Sequence, residues 1–300
     1  MAIGCAAISW GTVPLFIKQA ERAASFSPFF ESLALMSGVA LASAPLALRA
    51  YLAQGAQVER SLPWGGVLAL AGAEALNVYF LLLAYRTASV AIAVVTHHAA
   101  PLLVALAAGL FFGERVGRRI VLAACCGFLG VSLMLSPWSE AGDSAVRGGW
   151  YGLSSAAFYA INVLLSKRLT LSLSGPELLF WRALLTLPLL GLLVPQGGFG
   201  FGEPSSAWLL LAGMGPGALG GALFLWGLER VSAGRAALLT LLEPLSALAL
   251  SLLVLGEAPS LRVLAGGAAV LSAATLVLLE PAAPRADPSR AVEGLLGKEP

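Results

Sequence analysis

The sequence predicts an all-α polytopic membrane protein, with ten transmembrane helices arranged as two inverted five-helix repeats. Three observations predict it. Composition is the first: 58% of residues are hydrophobic, 11% are charged and mean hydropathy is +0.86. A soluble domain runs at about 45–50% apolar and about 25% charged, so this chain has too little polar surface to face water. The second is a series of ten apolar segments, each near the roughly 20 residues that span a bilayer. The third is an internal repeat.

The first segment, 2–18, has no basic n-region and no small-residue cleavage site, and reads as a spanning helix rather than a signal peptide. Segments 29–49, 64–84, 88–112 and 119–137 complete the first half. Segments 149–167, 177–195, 206–228, 234–255 and 262–280 form the second. Turn formers divide them, among them Ser27-Pro28, Ser174-Gly175-Pro176 and Gly197-Gly198. The domains expected are a first repeat at 1–140, a second at 146–282, and a disordered cytoplasmic tail at 283–300, rich in proline and charge. Cys5, Cys125 and Cys126 all sit in apolar runs and read as buried, inert thiols rather than a disulfide framework.

Loop charge gives orientation. With the N-terminus inside, the inner loops and tail carry twelve Lys and Arg, among them Arg115, Arg118, Arg119, Lys167 and Arg168. The outer loops carry five: Lys18, Arg22, Arg86, Arg147 and Arg262. The positive-inside rule therefore places both termini in the cytoplasm, in a bacterial inner membrane. A net charge of +2 gives no reason to expect a nucleic-acid partner.

The repeat is read at fixed shifts. Moving 143 residues takes Ser89 to Ser232, Pro101 to Pro244, Gly113-Glu114 to Gly256-Glu257 and Arg119 to Arg262. Moving 149 takes Trp10 to Tyr159 and Lys18 to Lys167. Five helices per half is an odd number, so the halves insert with opposite orientation. Inverted repeats are a transporter architecture, with the substrate site near the midplane.

These features resemble the drug/metabolite transporter superfamily, EamA type: Trp10-Gly11 with Lys18 in the first segment, Arg182 early in the seventh, and P-x(11)-G-E twice, at Pro101–Glu114 and Pro244–Glu257. The resemblance covers residues 1 to about 282. It implies a carrier of amino acids, other metabolites, nucleotide sugars or drugs, with a cavity lined by helices 1, 3, 4, 6, 8 and 9. The first half has no arginine matching Arg182, so no paired role for it is expected there.

Ionisable groups inside spanning helices are site candidates, because an unpaired charge there is costly. Glu74 lies ~17 Å from the Tyr85 end of its segment and His97 ~14 Å from the Ala88 end of the next, at ~1.5 Å per residue. The depths agree and the connection is short, so Glu74 is expected to meet His97 or His98, with Asn77 on its face. His98, three before Pro101, is favoured as the cavity-facing histidine. The pair is read either as a substrate or proton-coupling site or as a helix–helix hydrogen bond. Adjacent histidines lack the i, i+4 spacing of metal ligands, so no metal is expected. Glu243, beside Pro244, is read as a proton carrier or as a neutral acid bonded to a carbonyl freed at the break. Glu114 and Glu257 read as helix caps or interhelical pair partners rather than substrate ligands. Arg182 is expected to snorkel, or else to pair with Glu177 or a gate residue.

Trp10, Tyr79, Tyr159, Asn162, Phe224 and Trp226 fall on the implied cavity helices as ligand-stacking or packing groups. Gly215-Pro216-Gly217 and Gly220-Gly221 mark a kink. The chain therefore reads as a gradient-driven carrier of a small organic metabolite, with amino-acid export favoured by the resemblance. It shows no GxxxxGK[ST] motif, and neither cofactor nor enzymatic activity is expected. The expected partners are the metabolite, the bilayer and protons, with a homodimer left open. The rival readings are a membrane-embedded transferase and a non-transporting partner subunit.

Overall fold

The computed structural model describes residues 1–53, 62–112, 117–139, 142–195, 198–255 and 260–279. Glu114, Glu257, Gly197 and the tail 283–300 lie outside the described residues. Among those described, the regular structure is all helical. Six helical stretches are long and apolar enough to cross a membrane: Pro28–Ala53, Trp64–Thr87, Ala91–Gly109, Arg118–Leu135, Pro204–Leu228 and Leu261–Leu279.

The first expected segment is two helices, α1 (Ala2–Gly11) and α2 (Val13–Glu21). Pro14 lacks the amide that would bond the Trp10 carbonyl, so the helix breaks at Thr12. The Thr12 hydroxyl returns to the Ser9 carbonyl at 2.7 Å. Next come α3 (Pro28–Ala53), started by the Ser27 hydroxyl on the Phe30 amide, and α4 (Trp64–Thr87). The fourth segment also splits, into α5 (Val90–His97) and α6 (Ala100–Phe112), ahead of Pro101. α7 (Arg118–Leu135) ends the first half.

The second half opens with α8 (Asp143–Leu169), which runs unbroken and starts six residues earlier than expected. α9 (Gly175–Gly191) begins with a capping box: the Ser174 amide and hydroxyl both donate to Glu177, at 2.9 and 2.6 Å. α10 (Ala207–Ala212) and α11 (Ala218–Leu228) are joined by a π-turn at Gly213–Gly217 around Pro216, within the expected kink. α12 (Ala233–Leu239) and α13 (Leu242–Leu255) split ahead of Pro244, and α14 (Leu261–Leu279) closes the chain.

The two fourth-segment breaks match. Residues 98–99 separate α5 from α6, and 240–241 separate α12 from α13, one residue from agreement at the 143 shift. Ser89 and Ser232 cap α5 and α12 in the same way, each accepting an amide three residues on at 3.4 Å.

Packing interleaves the halves. The dense pairings are α4 with α8, α7 with α14, α3 with α9, and α1 with α11 and α13, each joining one half to the other. Small residues fill the seams and large apolar ones face outward, as bilayer packing requires. Leu122, Leu129, Leu264 and Leu271 are each more than half exposed, whereas Ala6, Ala34, Ala123, Ala156 and Ala236 are fully buried. At the α7–α14 crossing a methyl on Gly130 would strike the Gly266 carbonyl and Val270, so only glycine permits that approach. The three cysteines are free, but Cys5 and Cys125 face outward instead of being buried. On an apolar helix a small side chain suits the lipid face as well as the seam.

Candidate functional site

The polar side chains at mid-depth converge on α8. Ser155, Tyr159 and Asn162 stand at i, i+4 and i+7 and so share one face. That face meets α4 and the α5–α6 pair. Gly152, one turn before, removes the side chain that would collide with Thr96, and this brings α5 onto α8.

Two hydrogen-bonded groups result. Asn162 donates from Nδ2 to Glu74 Oε2 at 2.6 Å, and both residues are buried. Nearer the other end, the Ser155 hydroxyl meets Asn77 Oδ1 at 2.8 Å and the Asn77 carbonyl at 2.9 Å. His97 Nδ1 lies 2.9 Å from the same hydroxyl oxygen. Ser155 has one proton, and both Asn77 atoms are acceptors. When that proton goes to Asn77, the serine oxygen accepts from His97 Nδ1–H. His98 Nδ1 stands 2.8 Å from the Val94 carbonyl, which only accepts, so its proton is also on Nδ1. Among the described residues, neither histidine's Nε2 has a hydrogen-bond partner.

Tyr159 lies between the two groups. Its ring meets His97 edge-on, 5.4 Å between centroids and 74° between planes. Its hydroxyl faces Thr240 and lies within reach of the charges of Glu243, Glu74 and Arg182. Thr240 donates its own proton to the Ala237 carbonyl at 2.7 Å. Glu243 is half-buried and hydrogen-bonds to no described side chain.

The expected residues divide accordingly. Glu74, Asn77, His97, Tyr159 and Asn162 come together around α8, whereas Glu243 lies on α13 against α1, near enough for its charge to reach Tyr159. The expected Glu74–histidine bond is replaced by Glu74–Asn162, because α4 packs far more closely on α8 than on α5. His98 turns to its own helix. Trp10 lies tilted against Phe224, ring centroids 5.5 Å apart, and donates to the Gly217 carbonyl at 3.4 Å, beside Ser9, which bonds the Pro216 carbonyl at 2.9 Å. Both docking points are in the π-turn of the second half. Tyr79 sits apart, against Phe29 at 6.3 Å, and Trp226 is half exposed with Arg230 4.0 Å over its ring.

Arg182 does not pair with Glu177, whose carboxylate caps α9, and its side chain is half-buried. Its Nε is buried without a partner. Sequence reasoning passed over Ser155 and Thr240. The first was visible as the start of the Ser155–Tyr159–Asn162 stripe. The second was visible as the position matching His97.

The fold and this mid-depth cluster define a multi-pass helical membrane protein with matched half-chains around a shared polar centre. The chain belongs to the EamA-like transporter family, whose model matches it twice, at residues 1–136 and 146–279. It is 31% identical over 274 residues to an uncharacterized transporter of Archaeoglobus fulgidus, covering 90% of this chain and 93% of that protein. A riboflavin transporter of Rhizobium johnstonii is 36% identical over 121 residues, 38% of this chain and 37% of the relative. A solved crystal structure with 21% identity shares the fold at a TM-score of 0.75, over 92% of this chain and 96% of the other.

Proposed function

We propose that this transporter is a gradient-driven carrier of a small organic metabolite, exporting amino acids or related amphiphilic compounds by alternating access. One observation carries the reading: each half breaks its fourth segment at the matching place, and both breaks meet at Tyr159. A helix broken at mid-depth supplies free carbonyls and amides to a cavity and acts as a hinge. All ten helical units cross a bacterial inner membrane in this reading, with the Lys167 end of the bundle cytoplasmic.

Glu243 and the Nε2 atoms of His97 and His98 are the open polar positions. They contact the substrate or exchange a proton with it. Arg182 offers a charge to an anionic substituent. The ring of Tyr159 offers an apolar face.

Purified protein in liposomes tests this directly. Efflux or uptake of a labelled panel is followed with and without an imposed pH gradient. Amino acids form the core of the panel, and riboflavin joins it because the Rhizobium relative carries that name. Flux of one compound above empty liposomes, faster with the gradient, is expected. No flux of any compound under either condition removes the proposal.

A further inference from the structure

The two ends of the bundle differ in a way the repeat makes measurable. At one end, Lys167 of α8 donates its ammonium to the carbonyls of Leu228 and Val231, at 2.5 and 2.8 Å. These carbonyls belong to the last turn of α11 and the connection after it. Helix C-termini leave carbonyls without intrahelical partners and carry partial negative charge, and an ammonium with three donors suits them.

The repeat shifts give the counterpart at the opposite end. Lys167 corresponds to Lys18, and Leu228 and Val231 correspond to Tyr85 and Ala88 at the end of α4. Register there is fixed by Ser89 and Ser232, which cap the following helices identically. Yet Lys18 is exposed and donates no hydrogen bond among the described residues. Its helix α2 leans on α10 instead of the α4 end, after the break at Thr12. In the second half Val163 stands where Pro14 does, and α8 runs straight through to Lys167.

We infer that Lys167 and Lys18 are paired gate latches, each closing its own end of the bundle by capping the terminal carbonyls of the facing helix. The structure is then closed at the Lys167 end and open at the Lys18 end. In the opposite state Lys18 reaches Tyr85 and Ala88 while Lys167 lets go. The inference rests on the alternating-access reading, and it adds two positioning residues that lie away from the polar centre.

Distance measurements by double electron–electron resonance in nanodiscs test it without any substrate. Background changes Cys5→Ala, Cys125→Ala and Cys126→Ala leave label sites free. One spin-label pair replaces exposed Arg168 and Arg230 at the Lys167 end, and another replaces exposed Arg22 and Arg86 at the Lys18 end. Lys167→Met is expected to cut the ratio of short to long 168–230 distances about tenfold, the scale of a lost charged hydrogen bond. The 22–86 pair should close correspondingly. Lys167→Arg should keep the short 168–230 distance, and Lys18→Met should favour it further. A 168–230 distribution unchanged by Lys167→Met overturns the latch. So does a Lys18→Met variant that opens the Lys167 end. Failure of the carrier reading shows differently: the distances respond as expected, but the liposomes carry nothing.

Discussion

His97 and Thr240 hold the same place in the two repeats, 143 residues apart, and both face Tyr159, one through its ring and the other through its hydroxyl. Two broken helices from opposite halves thus share one side chain. Movement of α5 or of α12 relative to α8 must change one of these contacts.

The first prediction follows from that sharing. Tyr159→Phe keeps the ring against His97 and loses the hydroxyl that faces Thr240, whereas Tyr159→Ala loses both. Liposome flux should fall in the order wild type, Phe, Ala, with the alanine variant down by at least about tenfold, the effect of roughly 1.4 kcal/mol. Equal flux in all three would remove Tyr159 from the transport path.

Glu74 and Asn162 separate charge from hydrogen bonding. Glu74→Gln still offers an oxygen to Asn162 but carries no charge, so the thermal midpoint of the purified protein should stay near wild type while flux falls. Asn162→Ala strands a buried carboxyl and should lower the midpoint, since an unsatisfied buried group costs about 1–3 kcal/mol. A normal flux in Glu74→Gln would return the residue to a structural role.

The histidines should part company in stability. His97 links α5 to α8 through Ser155, while His98 bonds only within its own helix. His97→Ala should therefore lower the thermal midpoint more than His98→Ala, by the equivalent of about 0.5–1.5 kcal/mol. Equal midpoints would mean that the Ser155 bond does not hold α5 in place.

The α7–α14 crossing offers a control far from the polar centre. Gly130→Leu puts a large side chain against the Gly266 carbonyl and should reduce folded yield in detergent, read by size-exclusion monodispersity. Leu129→Ala, on the outward face, should leave that profile unchanged. A monodisperse Gly130→Leu protein would show that the crossing tolerates separation.

The helical class, the two half-chains and both fourth-segment breaks were legible because apolar run length and proline spacing are local signals. Pro14 was equally local, yet its effect on the first segment was passed over in favour of hydropathy alone. Side-chain pairing was less legible. Glu74 was matched to a histidine because consecutive helices were taken as neighbours, whereas interleaving gives α4 its closest partner in the other half. Trp226 failed as a cavity residue for a related reason: a segment can line a cavity with only one face, and apolar helices of this kind show weak periodicity to say which. Arg182 was read from its position near a helix start, which gives depth but not facing.

Interleaving also bears on how the protein is made. Asn77 and Glu74 leave the ribosome 78 and 88 residues before Ser155 and Asn162, their hydrogen-bond partners. At about 5–20 residues per second of synthesis, Glu74 waits roughly 4–18 s inside or beside the translocon with no native partner. The first five helices are thus an unfinished intermediate with polar groups facing lipid or insertion machinery. A newborn first half should depend on membrane-insertion chaperones until α8 arrives.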